Sequence, residues 1–261
     1  MVFSQVPKFV GFIYAIIMIA VIAYLWYSGR WQKKTGWLFL LLSAALGFLI
    51  FSPVAPYQFQ QLALQDAEGL GAPLILGVIG LSVVLLLTFA FGRFFCGYLC
   101  PVGVLQEIAS HAPVPKINLR QKQAFMAVRW AFFIVFLLMA FVFSASLLGW
   151  FGIRDFFYLS LTVGTGVFVV VLVLSMTLYR PFCRLFCPYG ALLSLGAWKS
   201  QFRLQRTDAC ISCKKCERAC PTDEAKRDDG KAECYLCGRC TAVCPVAGAL
   251  IYKRRNSEGK K

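Results

Sequence analysis

The chain has 261 residues, 59% of them hydrophobic and 15% charged, where ordinary soluble domains hold about 45–50% and about 25%. With a mean hydropathy of +0.68, this composition excludes a simple soluble protein, because so much apolar surface needs lipid to cover it. Twelve cysteines against one histidine exclude a bis-His haem carrier, and no C-x-x-C-H occurs for covalent haem.

Five segments free of Asp, Glu, Lys and Arg follow in chain order: residues 9–27, 36–52, 73–91, 130–151 and 161–179. Each matches the roughly 17–25 residues of a membrane span, and backbone groups in lipid must bond within their own segment, so five transmembrane helices are expected. The connecting loops alternate in charge. Arg30, Lys33 and Lys34 follow the first helix; Arg93, Lys116, Arg120, Lys122 and Arg129 follow the third; 17 Lys/Arg follow the fifth. Residues 54–72 carry Asp66 and Glu68 but no Lys or Arg, and residues 152–160 carry only Arg154 beside Asp155. The positive-inside rule then puts the N-terminus outside and the C-terminal tail in the cytoplasm of a multi-pass inner-membrane protein. Most of the net charge of +15 is thereby a topology signal, and nucleic acid is not expected as a partner. No helix is expected to carry an ionisable side chain through its middle, which argues against a pump.

All 12 cysteines fall in four short motifs on the side expected to be cytoplasmic, where structural disulfides are disfavoured. The third spanning segment is followed by Arg93-Phe94-Phe95-Cys96-Gly97-Tyr98-Leu99-Cys100-Pro101-Val102-Gly103-Val104-Leu105. The fifth is followed by Arg180-Pro181-Phe182-Cys183-Arg184-Leu185-Phe186-Cys187-Pro188-Tyr189-Gly190-Ala191-Leu192. Both read R-x-F-C-x₃-C-P-x-G-x-L, 87 residues apart, and imply an internal duplication. Cysteines at i and i+4 share one face of a helical turn, so Cys96, Cys100, Cys183 and Cys187 could supply four thiolates at the cytoplasmic edge. An iron–sulfur cluster or metal, redox-active thiols without metal, and buried thiols that bind nothing all remain open for this set.

The tail carries Cys210-x₂-Cys213-x₂-Cys216-x₃-Cys220-Pro221 and then Cys234-x₂-Cys237-x₂-Cys240-x₃-Cys244-Pro245. Three cysteines of such a run wrap one cubane and the fourth reaches the neighbouring cluster. One [4Fe–4S] cluster is expected on Cys210, Cys213, Cys216 and Cys244, the other on Cys234, Cys237, Cys240 and Cys220. A zinc site would need only two cysteine pairs. Residues 206–252 resemble a bacterial-type two-cluster ferredoxin. Together with the duplicated C-x₃-C-P motif and several membrane helices, they make residues 73–252 resemble the ferredoxin-type membrane proteins of the NapH, MauN and NosR group. That resemblance implies an electron-transfer component, linking the quinone pool or cytoplasmic donors to periplasmic redox enzymes. The periplasmic flavin-binding region of NosR is not seen, so covalent flavin is not expected.

The remaining residues add less. Lys214, Lys215, Arg218 and Arg239 lie among the cluster ligands and would steer an acidic donor. His111, after Gln106 and Glu107 in a stretch (102–111) expected at the membrane surface, is the one group titrating near neutral pH that a quinone site would use. Residues 191–198 read as a second interfacial helix with Trp198 as anchor, or as a plain connector. Phosphate-binding glycine loops are lacking.

The expected architecture is an α-helical integral membrane domain (1–205, with C-x₃-C-P motifs at 96–101 and 183–188), a small α+β ferredoxin domain (206–252) and a basic tail (253–261). The expected function is membrane-bound iron–sulfur electron transfer with membrane lipid and a redox protein (ferredoxin, flavodoxin, or another iron–sulfur or flavin subunit) as partners and quinone as a candidate. It would act as a component of an oxidoreductase system. A redox sensor or maturation factor, and a metal handler using the C-x₃-C-P cysteines, are the alternatives.

Overall fold

A computed structural model describes residues 5–51, 54–117 and 121–255. Ser52, Arg120 and the tail beyond Arg255, with Lys260 and Lys261, lie outside the described residues. The chain runs through α1 (Gln5–Tyr27), α2 (Lys33–Ile50), short α3 (Ala55–Ala63) and α4 (Ala67–Leu70), α5 (Leu74–Phe91), a π-helical turn (Phe95–Leu99) and α6 (Pro101–Ala109). It continues through α7 (Lys122–Phe143), a 3₁₀ turn (Leu147–Phe151), α8 (Ile153–Phe157), α9 (Val163–Thr177), α10 (Pro181–Leu185) and α11 (Pro188–Trp198). The head then follows as β1 (Phe202–Arg206), α12 (Lys215–Ala219), α13 (Arg239–Ala242) and β2 (Leu250–Arg254).

Among the described residues, α1, α2, α5 and α7 are long and apolar enough to cross a membrane. Their outward residues, such as Leu49, Ile75 and Phe143, are large, apolar and exposed, as a lipid-facing surface requires. Two expectations are corrected here. The fifth apolar segment forms a helix of only 15 residues, about 22 Å at 1.5 Å per residue against a core of about 30 Å. The fourth helix begins at Lys122 and closes at Ser144 in a left-handed turn (φ 48°), so Arg129 is inside a spanning helix rather than in a loop. Burial of Arg129 is tolerated because a carboxylate of the head meets it, as described below.

The duplication is visible as a fold. The unit α2, α3, α5, turn, α6 is repeated as α7, α8, α9, α10, α11, and the two exchange partners. Helix α6 packs on α2 of its own half and on α9 of the other; α11 packs on α7 of its own half and on α5 of the other. Residues 102–111 were expected at the membrane surface and 191–198 either there or as a plain connector; both instead belong to helices packed among the others. They enter the bundle because their faces are apolar and small: Val102, Val104, Ala191 and Leu193 are wholly buried. Their cysteine ends also lie deeper than the edge. Pro101 abuts Gly47, where an added Cβ would come within 2.6 Å of it, and Gly47 is the fifteenth of 18 residues in α2. The far end of α6 returns to the start of α2, with His111 against Trp37 at 4.9 Å. Tyr189, at the start of α11, meets Phe59 of α3, which stacks on Phe133 and Phe136 halfway along α7.

The head closes with β1 and β2 antiparallel, Leu204 opposite Tyr252, both buried. It is seated on the helix ends. The Tyr252 hydroxyl donates to the Phe91 carbonyl at 2.7 Å, and the ring packs on Phe94 and Trp26. Trp198, which remains largely exposed, covers Gly230 of the head, where a Cβ would meet its ring at 2.3 Å.

Candidate iron–sulfur centres

The two cysteine loops of the head share one backbone device. Ser212 and Lys214 in the first loop, and Leu236 and Gly238 in the second, occupy equivalent places and all have positive φ (53°, 57°, 54° and 77°). Such left-handed residues between right-handed ones curl successive N–H groups around a common point, forming the concave nest that suits an anionic group, Fe–S clusters included. Cys210, Cys213, Cys216 and Cys244 line one small cavity with Pro245. Cys220, Cys234, Cys237 and Cys240 line a second one. Burial pushes the Cys234 thiol up to about 12 and Cys237 to about 11. A bare thiolate is therefore disfavoured in this cavity, and the positive iron of a cluster is what would compensate it.

The four cysteines of the duplicated motif converge from both halves. Cys96, Cys100, Cys183 and Cys187 are 5–8% exposed, and each lies within electrostatic range of the other three. Every sulfur has a donor. Arg93 Nη2 is 3.9 Å from Cys96, Gln106 Nε2 is 3.2 Å from Cys183 and the Gly190 amide is 3.2 Å from Cys187; the Val102 and Gly103 amides serve Cys100. Donors of this kind stabilise thiolate, the ligating form. Among the described residues no three His, Cys, Asp or Glu side chains converge as the ligands of a single metal ion. Thiolates around one zinc, with Zn–S of about 2.3 Å, would stand within about 4 Å of each other.

The repeated arginines and glycines explain one another. Arg180 donates from Nη1 to the Cys96 carbonyl (2.5 Å) and from Nη2 to the Gly97 carbonyl (2.8 Å). Arg93 donates to the Gly190 carbonyl at 3.2 Å. A Cβ on Gly103 would stand 3.3 Å from Arg180, and one on Gly190 3.2 Å from Arg93. Each motif's glycine thus lies under the arginine of the other, and the two loops are laced together around the four thiols.

Two buried ion clusters fix the head on this centre. Glu233 receives Arg93 at 3.1 Å and Arg129 at 2.5 and 2.8 Å. Glu107 receives Arg180 and Arg239, each at 2.9 Å, and the Tyr179 hydroxyl at 2.6 Å. Arg239 was expected among the steering cations; it is a docking residue, also bonded to Ser110 at 2.7 Å. Lys214 and Lys215 are exposed. Nothing in the spacing marked Glu107, Glu233, Arg129 or Tyr235 as functional, although the arginine heading each repeated motif was a visible sign. His111 borders a groove of about 680 Å³ with Trp31, Trp37, Tyr98, Glu107 and the head's Cys237.

The 4Fe-4S binding domain family matches residues 73–120 and 161–207, the two units that carry the duplicated motif. The chain is 29% identical to the uncharacterized protein MJ0750 of Methanocaldococcus jannaschii, over 67% of this chain and 80% of that one. It is 27% identical to the ferredoxin-type protein NapH of Haemophilus influenzae, over 68% of this chain and 70% of that one. It is 30% identical to the regulatory protein NosR of Pseudomonas aeruginosa, over 62% of this chain but only 25% of NosR. No solved structure matches the chain.

Proposed function

We propose that this chain, a ferredoxin-type iron–sulfur membrane protein, carries single electrons between a cytoplasmic donor and a membrane or periplasmic redox partner. Cys210, Cys213, Cys216 and Cys244 would hold an outer [4Fe–4S] cluster of the head. Cys220, Cys234, Cys237 and Cys240 would hold an inner one, and Cys96, Cys100, Cys183 and Cys187 a third centre in the bundle. Each cluster, when bound, supplies a one-electron couple whose potential the surrounding donors tune. The observation that carries this reading is the contact between the loops. Leu236 accepts from the Tyr98 hydroxyl at 3.0 Å, which seats the inner-cluster loop 234–237 directly on the bundle loop 96–100. The family match on both motif-bearing units supports the third centre.

The head's orientation follows the basic loops, which favour the cytoplasm. Exposed Lys214 and Lys215 beside the outer cluster suit an acidic ferredoxin, flavodoxin or flavin subunit. The groove holding His111 favours quinol as a second electron source. Quinol oxidation releases two electrons and two protons; an imidazole beside the head loop could accept one proton where an electron leaves, the second passing to water. A His111→Ala protein should lose quinol-driven reduction while keeping donor-driven reduction; unchanged quinol kinetics would end that second reading.

Anaerobic purification with iron counting and EPR tests the main reading. About twelve irons are expected for three cubanes, or about ten if the third is a [2Fe–2S] centre. Cys100→Ser should remove only the third signal. About eight irons, with spectra unmoved by Cys100→Ser, would reject the third centre.

A further inference from the structure

Tyr235 stands between the inner-cluster ligands Cys234 and Cys237 and is 2% exposed. Its ring is held between the arginines of the two repeated motifs, with the Arg93 Cζ 4.6 Å and the Arg180 Cζ 4.8 Å from its centroid. The ring therefore sits on the pseudo-two-fold axis of the bundle, although it belongs to the head. Its carbonyl presses on Gly97, between Cys96 and Cys100; a Cβ there would come within 2.5 Å of the Tyr235 oxygen. The hydroxyl is buried and has no hydrogen-bond partner among the described residues. Within electrostatic range lie Arg93, Glu233 and Arg129 of the ion cluster and, of the bundle thiols, Cys183. A buried hydroxyl is rarely left unpaired, and with the ring held between the two arginines that lace the thiol loops together, a group bound at the set that includes Cys183 is the candidate to complete it.

We infer that Tyr235 is the direct link between the head and the bundle centre, its hydroxyl donating a hydrogen bond to a sulfur of the group bound by Cys96, Cys100, Cys183 and Cys187. The inference rests on the reading that those thiols hold a redox centre. One electron leaves the reduced inner cluster and arrives on the oxidised bundle centre. No bond is made or broken, and the hydroxyl proton stays on Tyr235 throughout. A hydrogen bond to sulfur stabilises the more negative, reduced form and so raises the potential of the bundle centre. The two guanidiniums fix the ring and add positive charge on the same path.

Tyr235→Phe keeps the ring between both arginines and removes only the donor. Redox titration monitored by EPR should show unchanged head signals and unchanged iron content. The reduction equilibrium of the bundle centre should fall about tenfold, which is about 59 mV for one electron. In the wild type, pulsed EPR in H₂O and D₂O should show an exchangeable proton coupled to the bundle centre, and it should be missing in the variant. A bundle centre whose potential and proton coupling are the same in both proteins overturns the role of Tyr235 and leaves the electron-transfer reading standing. A wild-type protein with about eight irons overturns both.

Discussion

In the first copy of the motif the residue after the leading cysteine is Gly97; in the second it is Arg184. Gly97 leaves room for the Tyr235 carbonyl, and its neighbour Tyr98 bonds the Leu236 carbonyl. At Arg184 the guanidinium lies over Phe125 at 4.0 Å, and Phe186 is enclosed by Phe132 and Phe151 at 5.5 and 5.3 Å. The first copy meets the head through its backbone, whereas Arg184 of the second is buried over Phe125 and lies within electrostatic range of the head's Glu233 and Asp223. The two copies supply matching thiols, and the position after each leading cysteine is where they differ in how they meet the head.

The asymmetry can be broken in several ways. The largest effect is expected from Glu233→Gln, which leaves Arg93 and Arg129 buried without their carboxylate. Removing one partner of a buried ion pair costs about 3–5 kcal/mol, measured as a lower Tm and a head that is released to limited proteolysis. A Tm within experimental error of the wild type would remove Glu233 from the docking account. Next is Gly97→Ala. Overpacking of about 1–3 kcal/mol should shift the seated head toward an unseated one by about fivefold to a hundredfold, slowing reduction of the bundle centre by a donor protein. Arg184→Ala, at the equivalent position of the second copy, removes only a more distant charge from Glu233 and should slow that rate less; equal slowing by both would dissolve the asymmetry.

The smallest effect concerns pH. Burial alone would push the Glu233 carboxyl up, but Arg93 and Arg129 outweigh it and hold it below the ordinary carboxylate range. A carboxylate so depressed contributes its stability in full above the ordinary range and loses it as pH falls through the depressed value. The wild-type Tm should therefore decline toward acid more steeply than that of Glu233→Gln, the two curves converging at low pH. Parallel curves would mean that the carboxylate gives no net stability to the docked head.

How far the amino-acid sequence disclosed this arrangement depended on the range of the interaction. The apolar runs, the eight-cysteine register and the 87-residue repeat are local and could be read directly. The depth of the second cysteine set could not, because it depends on α6 and α11 each packing against a spanning helix of the opposite half. Arg129 was misplaced because charge was taken as a loop marker, and its carboxylate lies 104 residues away. Tyr235 looked like filler between two cysteines. Only the fold puts Arg93 and Arg180 on either side of its ring.

The central claim is that electrons reach the bundle centre through the inner head cluster. Rapid-freeze EPR after mixing with reduced ferredoxin tests it most directly. In the wild type the head signals should appear first and the bundle signal after them, and a Cys234→Ser protein lacking the inner cluster should not reduce the bundle centre on that timescale. Reduction of the bundle centre at the wild-type rate in Cys234→Ser would contradict the account.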